Sequence, residues 1–396
     1  MSWPRLASIL CVISASLGAQ QRDSLATQTL SPGVTWRRIV RPAGPWVLNI
    51  VTVDLRRSDL ELRQVRARDS LRGREKLTSM VARTPEGAAR VLAAVNTDFF
   101  SLATGESENN VVIGGEWWKG IQVTDSPFDT FDNVHAQFGV DGARRPLLGR
   151  YVLDGTAIVA RVPTPVLAVN AISRTGPEGT ALYTDRVGVT PIDTTRALLE
   201  LPLARVGIRA DTQLFVRRGP TAKAGGNAVA PGAAVLAAYG ARTAAFATVA
   251  EGDTVRVVLR ARAADDGSPS RSPALLVGGW PRIVRDGVAV ADRSAWVEGT
   301  ISRNAEVRNP RTSVGFSRDS STLFLVTVDG RQAASAGMTL PELADFMREL
   351  GAWQALNFDG GGSTSMVLAG KLVNSVSDPT GEREVASGLL LVKRTP

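Results

Sequence analysis

Short apolar runs, many of them alternating with polar residues, predict a chain built mainly of strands joined by tight turns. Gly, Pro and Asp separate most of these runs, as is typical of turns between strands. Two pairs of runs flank short turns and predict hairpins: Val111–Ile113 with Glu116–Lys119, and Met366–Leu368 with Leu372–Asn374. The other clear predicted strands are Val47–Leu55, Leu60–Val65, Val91–Asn96, Ala157–Val162, Thr254–Ala261, Leu323–Val328 and Ala355–Phe358.

Two helices interrupt this pattern. A short one is predicted over Leu77–Arg83, and a longer one begins after Thr339. Thr339 followed three residues later by Glu342 predicts a capping box, and Pro341 lies in the first turn, where its missing N–H costs nothing. Gly351 ends the apolar stripe and the helix.

The N-terminal segment reads as a secretory signal. Arg5 precedes the apolar run Leu6–Leu17, which is too short to cross a bilayer as a helix and is followed by small residues near Ala19. We predict a signal peptide over residues 1–19, a polar, poorly ordered linker over 20–34, and one domain over 35–396 with a β-rich insertion at about 134–262. An uncleaved anchor is the alternative to cleavage; a cleaved signal predicts a secreted or periplasmic bacterial protein.

Composition excludes several kinds of site. The chain of 396 residues carries 46 Lys and Arg against 38 Asp and Glu, a formal net charge of +8. These basic residues are scattered rather than concentrated on one element, so we expect no nucleic-acid partner. The single Cys, Cys11, and single His, His135, exclude an intrachain disulfide, a thiolate metal cluster and a site with two histidines. The sequence requires no cofactor, although a divalent cation is compatible with it.

One five-residue pattern occurs twice. Residues 94–98 (AVNTD) and 355–359 (ALNFD) share Ala, an aliphatic residue, Asn, any residue and Asp, and each copy follows a predicted helix. Side chains two apart in a strand point to the same face, so each copy places an Asn and an Asp together at a strand end. We predict that Asp98 and Asp359 face one cleft, although chance similarity over five residues is the alternative.

The segment Asp359–Thr364 carries the strongest chemical signal. Three glycines, Gly360, Gly361 and Gly362, precede the hydroxyls of Ser363 and Thr364. Glycines let a backbone approach a ligand and turn its N–H groups outward, which predicts an oxyanion nest; a tight turn without a ligand is the alternative. No Lys follows as in a P-loop, and no helix opens as in a dinucleotide fold.

Other segments are weaker alone. Arg308 and Arg311 flank a proline-fixed turn, and Arg is suited to two-point contact with phosphate. Trp117 and Trp118 could stack on a sugar ring, but buried packing is predicted for at least one of them. The acidic residues Asp125, Asp129 and Asp132 are read as a solvated loop rather than a cation site, and His135 is given no role.

Five motifs, in this order, resemble the phosphodiester glycosidase family. They are residues 96–100 (NTDFF), 308–312 (RNPRT), 328–332 (VDGRQ), 339–343 (TLPEL) and 357–364 (NFDGGGST), and residues 377–386 at the end of the chain are also similar. The resemblance is close over about 88–116 and 275–395. It implies an α/β (α+β) fold, with a mixed curved sheet, flanking helices and a β-rich middle region.

The resemblance implies an exported hydrolase that cleaves the bond between a sugar's anomeric carbon and a phosphate oxygen. Asp98 and Asp359 would be the catalytic carboxylates. Substrate or phosphate contacts would come from Asn96, Arg308, Arg311, Thr312, Asp329, Arg331, Asn357, Gly360, Gly361, Gly362, Ser363, Thr364 and Glu382. The partner would be a phosphorylated carbohydrate, with no stable membrane insertion after signal cleavage.

The chain departs from the family pattern at a few positions. Thr97 and Trp280 stand where Gly is common, Asn309 where His is frequent, and Ser387 where Asn is frequent. Trp280 would reshape the pocket, which bears on the substrate more than on the reaction. Two other functions stay open: a phosphodiesterase that cleaves the P–O bond of a cell-envelope glycan, and an exported glycan-binding protein without catalysis.

Overall fold

The structure is a computed structural model that describes residues 24–84, 89–124, 134–171, 178–292, 297–298 and 303–394. The predicted signal peptide, 1–19, lies outside these residues. The helices are α1 (Leu77–Ala82), α2 (Thr243–Phe246), α3 (Arg303–Glu306) and α4 (Leu340–Glu349). The strands are β1 (Ser24–Ser31), β2 (Val34–Arg41), β3 (Trp46–Asp54), β4 (Leu60–Arg66), β5 (Glu75–Lys76), β6 (Ala89–Asn96), β7 (Val111–Ile113), β8 (Glu116–Lys119), β9 (Ala136–Asp141), β10 (Pro146–Val159), β11 (Val162–Val166), β12 (Ala168–Val169), β13 (Gly179–Thr184), β14 (Leu198–Arg209), β15 (Thr212–Arg217), β16 (Ala233–Tyr239), β17 (Thr254–Ala263), β18 (Pro273–Gly278), β19 (Arg282–Arg285), β20 (Val288–Ala289), β21 (Arg311–Phe316), β22 (Thr322–Val328), β23 (Gln354–Phe358), β24 (Met366–Leu368), β25 (Lys371–Leu372), β26 (Glu384–Val385) and β27 (Ser387–Arg394).

Three large sheets organise the described part of the chain. The eight-stranded sheet has the order β1-β2-β3-β22-β21-β23-β19-β20, and the five-stranded sheet has the order β25-β24-β6-β27-β4. The twelve-stranded sheet runs β12-β13-β16-β14-β15-β17-β10-β9-β18-β7-β8, with β11 paired to β10. Because β6 and β23 lie inside different sheets, the two copies of the repeated pattern belong to separate sheets.

One large hydrophobic core lies where these three sheets face one another. It contains Val51 of β3, Val95 of β6, Phe138 of β9, Leu356 of β23 and Leu389 of β27, all buried. At about 25 cal/mol per Å² of apolar surface, such burial supplies most of the attraction between the sheets. The ends of β6 and β23 are therefore held together by the packing of the strands that precede them.

Helix α4 covers the other face of the eight-stranded sheet. Its buried stripe of Leu340, Leu343 and Met347 packs on Ile50 of β3 and Val326 of β22. The predicted capping box is confirmed: the Thr339 hydroxyl accepts from the Glu342 N–H, and Glu342 accepts from the Thr339 N–H. Helix α1 lies on the five-stranded sheet in the same way.

The mixed fold prediction holds in part, because strands make up 50% of the structure and helices only 10%. The sequence predicted more helix on the flanks than the structure contains. Helix α1 has 6 residues and α4 has 10, and the sheets mostly cover one another. Tertiary packing of sheet on sheet replaces the helical layers.

Two local predictions are wrong. Part of the predicted linker is strand β1, which a Pro32-Gly33 turn joins to β2 in antiparallel register. The predicted strand Ala157–Val162 crosses a hairpin turn instead, because Ala160 and Arg161 adopt positive φ values of 47° and 69° between β10 and β11. Ala and Arg seldom take this conformation, so composition did not indicate that turn. The segment 134–262 holds β9 to β17, and its status as an insertion stays a prediction.

Candidate active site

The two copies of the repeated pattern meet at the ends of β6 and β23. The Asn96 side-chain amide donates to the Asp359 carbonyl at 2.7 Å, and the Asp359 N–H donates to the Thr97 carbonyl at 2.8 Å. The two strand ends are therefore directly bonded across the junction of two sheets. The expectation that they are neighbours is confirmed.

Asn96 is the centre of this junction. Its side-chain oxygen accepts from the Thr312 hydroxyl at 2.7 Å and from the Ser365 N–H at 3.0 Å. Asn96 and Thr312 are both buried, and these bonds join β6, β21 and the loop after β23. Both residues were predicted to contact substrate, whereas their bonds here hold the strand ends in register.

Asp98 lies beneath the surface, with 3% of its area exposed. One carboxylate oxygen accepts from the Asn109 side-chain amide at 2.8 Å and the other from the Asn109 N–H at 3.2 Å. Burial raises the pKa of Asp98, and the Asn109 bonds and the charges of Arg66 and Lys119 oppose that shift. Asn109 thus fixes the orientation of this carboxylate.

Two buried cations support the loop that carries Asn109. Arg66 donates to the Ser107 hydroxyl, and the Lys119 ammonium donates to the Ser107 carbonyl at 2.6 Å. Both cations are 1% exposed, and Lys119 also pairs with Glu106 at 3.1 Å. Buried charges need such partners, since an unpaired one costs several kcal/mol. Sequence reasoning missed Asn109, Arg66 and Lys119, because nothing in their local sequence points to Asp98.

Asp359 differs from Asp98 because it keeps partial exposure to solvent. Burial raises the pKa of Asp359 to about 7, opposed by the Ser363 hydroxyl, the Arg383 guanidinium and the Gly360 N–H. The charge of Asp98 raises this pKa further, so the two carboxylates are close enough to interact. A carboxyl with a pKa near 7 can exchange a proton at neutral pH.

The glycine loop packs closely instead of forming an open nest. The N–H groups of Gly361, Ser363 and Thr364 donate to carbonyls of the protein, at 2.9 Å to Pro310, 3.1 Å to Gly360 and 3.2 Å to Gly361. Those three groups therefore do not face outward as predicted. Gly362 lies against the Asp378 and Arg383 side chains, which would have to shift to admit a Cβ at this position.

Arginines line the surface next to this loop. Arg383 forms a two-point ion pair with Asp378, with N–O distances of 2.7 and 2.9 Å. Arg331 is exposed; its guanidinium lies beside Gly361 and donates to the Asn309 side chain at 3.0 and 3.2 Å. Arg331 was predicted and Arg383 was not, although Arg383 lies in the similar C-terminal segment. Arg383 places positive charge near Asp359, and Arg331 places it beside the glycine loop.

Three predicted contacts are engaged elsewhere. Arg308 pairs with Glu342 at 2.6 Å, at the start of α4. Arg311 is buried and donates to the carbonyls of Met338 and Val307, each at 2.9 Å. Glu382 accepts from the Thr78 N–H at 2.9 Å and from its hydroxyl at 2.6 Å, at the first turn of α1. Each residue has a structural role that its motif did not reveal.

The remaining predicted residues surround the junction. Asn357 donates to the Trp280 carbonyl at 2.6 Å, and the carbonyl of the buried Thr364 accepts from Asn374 at 3.0 Å. Asp329 is buried, and burial raises its pKa to about 6 against the pull of the Ser375 N–H and Arg38.

Two secondary sequence interpretations concern side chains away from the junction. Trp117 and Trp118 are buried, which confirms the packing interpretation. Asp125, Asp129 and Asp132 lie outside the described residues. Among the residues that are described, no group of three or more His, Cys, Asp and Glu side chains is placed to hold a metal ion, and no helix is long and apolar enough to cross a membrane.

Comparison with known proteins gives the same family as the motifs. Residues 204–392 match the family model described as phosphodiester glycosidase. N-acetylglucosamine-1-phosphodiester alpha-N-acetylglucosaminidase of Mus musculus is 30% identical over 190 residues, which cover 46% of this chain and 36% of the mouse protein. The Bos taurus enzyme of the same name is 28% identical over 250 residues, 60% of this chain and 44% of that protein. The chain thus spans less than half the length of these curated relatives.

A solved structure shows the same fold. It is a protein of Burkholderia pseudomallei K96243, described as a candidate exported protein, with a TM-score of 0.68 and 20% identity. The match covers 93% of this chain and 96% of that one. This likeness shows the fold, and the resemblance to the phosphodiester glycosidase family rests on residues 204–392 and on the two named relatives.

Proposed function

We propose that this chain is an exported hydrolase that cleaves the glycosidic bond of a sugar-1-phosphodiester. One observation carries the proposal: a partly exposed Asp359 with a pKa of about 7 lies beside a second carboxylate, Asp98, at the junction of two sheets. Paired carboxylates of this kind are the usual machinery of glycoside hydrolysis. The family match and the named activity of the mouse and cattle relatives support the same reaction.

Asp359 is assigned the proton transfer. In its ionised form it accepts a proton from the attacking water, whose oxygen bonds to the anomeric carbon. The bond from that carbon to the phosphate oxygen breaks, and the phosphate monoester leaves with the electron pair. Phosphate is a good leaving group, so this departure needs little help from a general acid.

Asp98 is assigned the stabilisation of positive charge on the sugar. The Asn109 bonds fix its carboxylate, and a fixed charge costs no reorganisation when the oxocarbenium-like centre develops. Arg383 and Arg331 are assigned to the phosphate, because guanidinium groups bind phosphate at two points. Arg383 takes this role in place of Arg308 because of where it lies. Arg383 is paired with Asp378, but it is close enough to Asp359 to lower the pKa of that carboxyl, whereas Arg308 is paired with Glu342 at the start of α4.

The test is turnover of a panel of sugar-1-phosphodiesters in ¹⁸O-labelled water. Cleavage at the sugar carbon puts the label on the sugar, whereas P–O cleavage puts it on phosphate and supports the phosphodiesterase alternative. Tight binding without turnover supports the glycan-binding alternative. Asp359→Asn should slow the reaction strongly, and Asp345→Asn on α4, a side chain 70% exposed, is the matched control.

Export is the second part of the proposal. It rests on the signal-like residues 1–19 and on the exported description of the Burkholderia relative. Intact-mass analysis of protein recovered outside the cytoplasm tests it. A mass that corresponds to a chain beginning near residue 19 or 20 supports cleavage. A mass that includes residues 1–18 contradicts it.

A further inference from the structure

The segment Gly278–Trp280 lies between the two strand ends that carry the carboxylates. A Cβ at Gly278 would collide with the Asp98 carboxylate and with Asn109, so the backbone at Gly278 is packed against both side chains. On the other side of this segment, the backbone N–H of Trp280 donates to the backbone carbonyl of Asn357 at 2.8 Å. Trp280 is thus two residues from the glycine that meets Asp98, and it is bonded to the residue two positions before Asp359.

The indole ring of Trp280 is held in one orientation. Its N–H donates to the Glu298 carbonyl at 3.1 Å. The Phe99 ring meets it edge-on, with centroids 6.5 Å apart and an interplanar angle of 79°, and the His135 ring lies 6.1 Å away. Phe99 directly follows Asp98, so two aromatic rings adjoin the proposed catalytic pair.

Exposure separates these rings from the core aromatics. Trp117 and Trp118 are only 3% and 7% exposed, whereas Trp280 and Phe99 both keep intermediate exposure at the site. Leaving part of a large aromatic ring in water forfeits some of the stabilisation that its full burial would provide. A ring fixed by a hydrogen bond and still open to solvent is a preformed contact surface that loses little entropy on binding.

We propose that Trp280, supported by Phe99, is a stacking platform for the apolar face of a pyranose ring in the substrate. The inference rests on the proposed function and adds the feature that selects a sugar over other phosphate esters. The C–H face of the ring lies on the indole, while the carboxylates and arginines act on the bond to phosphate. The stacked pyranose is either the sugar whose anomeric carbon reacts or a sugar on the far side of the phosphate.

Calorimetric titration of the full chain separates these cases with three probes: N-acetylglucosamine 1-phosphate, mannose 6-phosphate and inorganic phosphate. Trp280→Leu should raise the Kd of one sugar phosphate roughly tenfold and leave that of inorganic phosphate unchanged. If only N-acetylglucosamine 1-phosphate loses affinity, the stacked ring is the sugar that donates its anomeric carbon. If only mannose 6-phosphate loses affinity, the stacked ring is the sugar beyond the phosphate.

Trp280→Phe keeps an aromatic face and should lose less affinity than Trp280→Leu; it decides the matter if the leucine variant does not fold. Trp353→Leu is the matched control, because Trp353 is a partly exposed tryptophan at the opposite end of β23, with Arg318 over its ring at 4.7 Å. It should change none of the three affinities.

Equal weakening of all three probes, or none, overturns the platform. If the parent and Trp280→Leu cleave sugar-1-phosphodiesters equally well, the platform is wrong and the proposed function stands. A parent that binds neither sugar phosphate and turns over no phosphodiester overturns both.

Discussion

The two copies of the repeated pattern end in carboxylates with opposite surroundings. Asp98 is 3% exposed and receives two hydrogen bonds from Asn109, with buried Arg66 and Lys119 nearby. Asp359 is partly open to solvent and has a pKa of about 7. The same five-residue pattern therefore gives one fixed carboxylate and one that can exchange protons.

The two asparagines of the pattern differ as well. Asn96 bonds to Asp359, Thr312 and Ser365 and so joins the sheets, whereas Asn357 donates to the Trp280 backbone carbonyl and so fixes the backbone at that residue. Neighbouring elements, rather than the pattern itself, set the role of each residue. Glycosidases likewise divide the work between two carboxylates that lie in different environments.

The largest effect is expected from removing the carboxylate that exchanges protons. Asp359→Asn is nearly isosteric and should lower kcat by on the order of 10²–10⁴-fold, the usual worth of a positioned general base. Its fold should persist, because the backbone bonds between Asp359 and the β6 end do not involve the carboxylate. Initial rates and circular dichroism check both points, with Asp345→Asn as control; a variant that keeps parental activity removes Asp359 from the mechanism.

The fixed carboxylate should be the second most sensitive position. Asp98→Asn removes the charge that we assign to stabilising the sugar, and we expect a loss of about 10²-fold in kcat/KM. If the two act on one transition state, the double variant should be little slower than the slower single variant. Multiplying losses in the double variant would show that the two carboxylates act independently.

Local patterns predicted most strands because burial on one face leaves a period-two signature. The residues from 323 to 372 illustrate this, since β22, α4, β23 and β24 occur where the sequence places them. The capping box of α4 was readable because all its atoms come from four consecutive residues. The repeated pattern also predicted the contact between the ends of β6 and β23.

The partners of the site could not be read in this way, because they are distant in sequence. Asn109 reaches Asp98 across 11 positions, and Arg383 approaches Gly362 from a separate loop. Arg308 and Arg311 have the right chemistry for phosphate, yet Glu342 and two backbone carbonyls occupy them. With Arg so frequent in the chain, only tertiary structure distinguishes a ligand contact from a structural one.

A smaller effect is expected from replacing Arg383 or Arg308 with Lys. Arg383→Lys keeps the charge beside Asp359 but loses the planar fork, so activity should fall about tenfold. Arg308→Lys changes a partly exposed pair with Glu342 and should leave kcat/KM unchanged. Steady-state kinetics of the two variants measures this difference; the reverse order of sensitivity would restore Arg308 as the phosphate contact.

The smallest effect is expected on stability, through pH. Burial raises the pKa of Asp359 from 3.8 to about 7, so above its unfolded pKa the folded chain binds this proton more tightly than the unfolded chain does. Stability must then fall as pH rises from about 4 to about 7, because the unfolded state binds fewer protons in that window. Asp329, with a pKa of about 6, contributes in the same direction.

Asp359→Asn should therefore flatten part of that decline and make the protein more stable than the parent near neutral pH. Urea unfolding of the parent, Asp359→Asn and Asp345→Asn at several pH values between about 4 and about 8 measures the difference. Because Asp359 as a residue keeps partial exposure, the gain should be below that of a fully buried residue. An asparagine variant whose stability declines with pH as steeply as that of the parent would mean that Asp359 titrates normally, and the contrast between the two carboxylates would disappear.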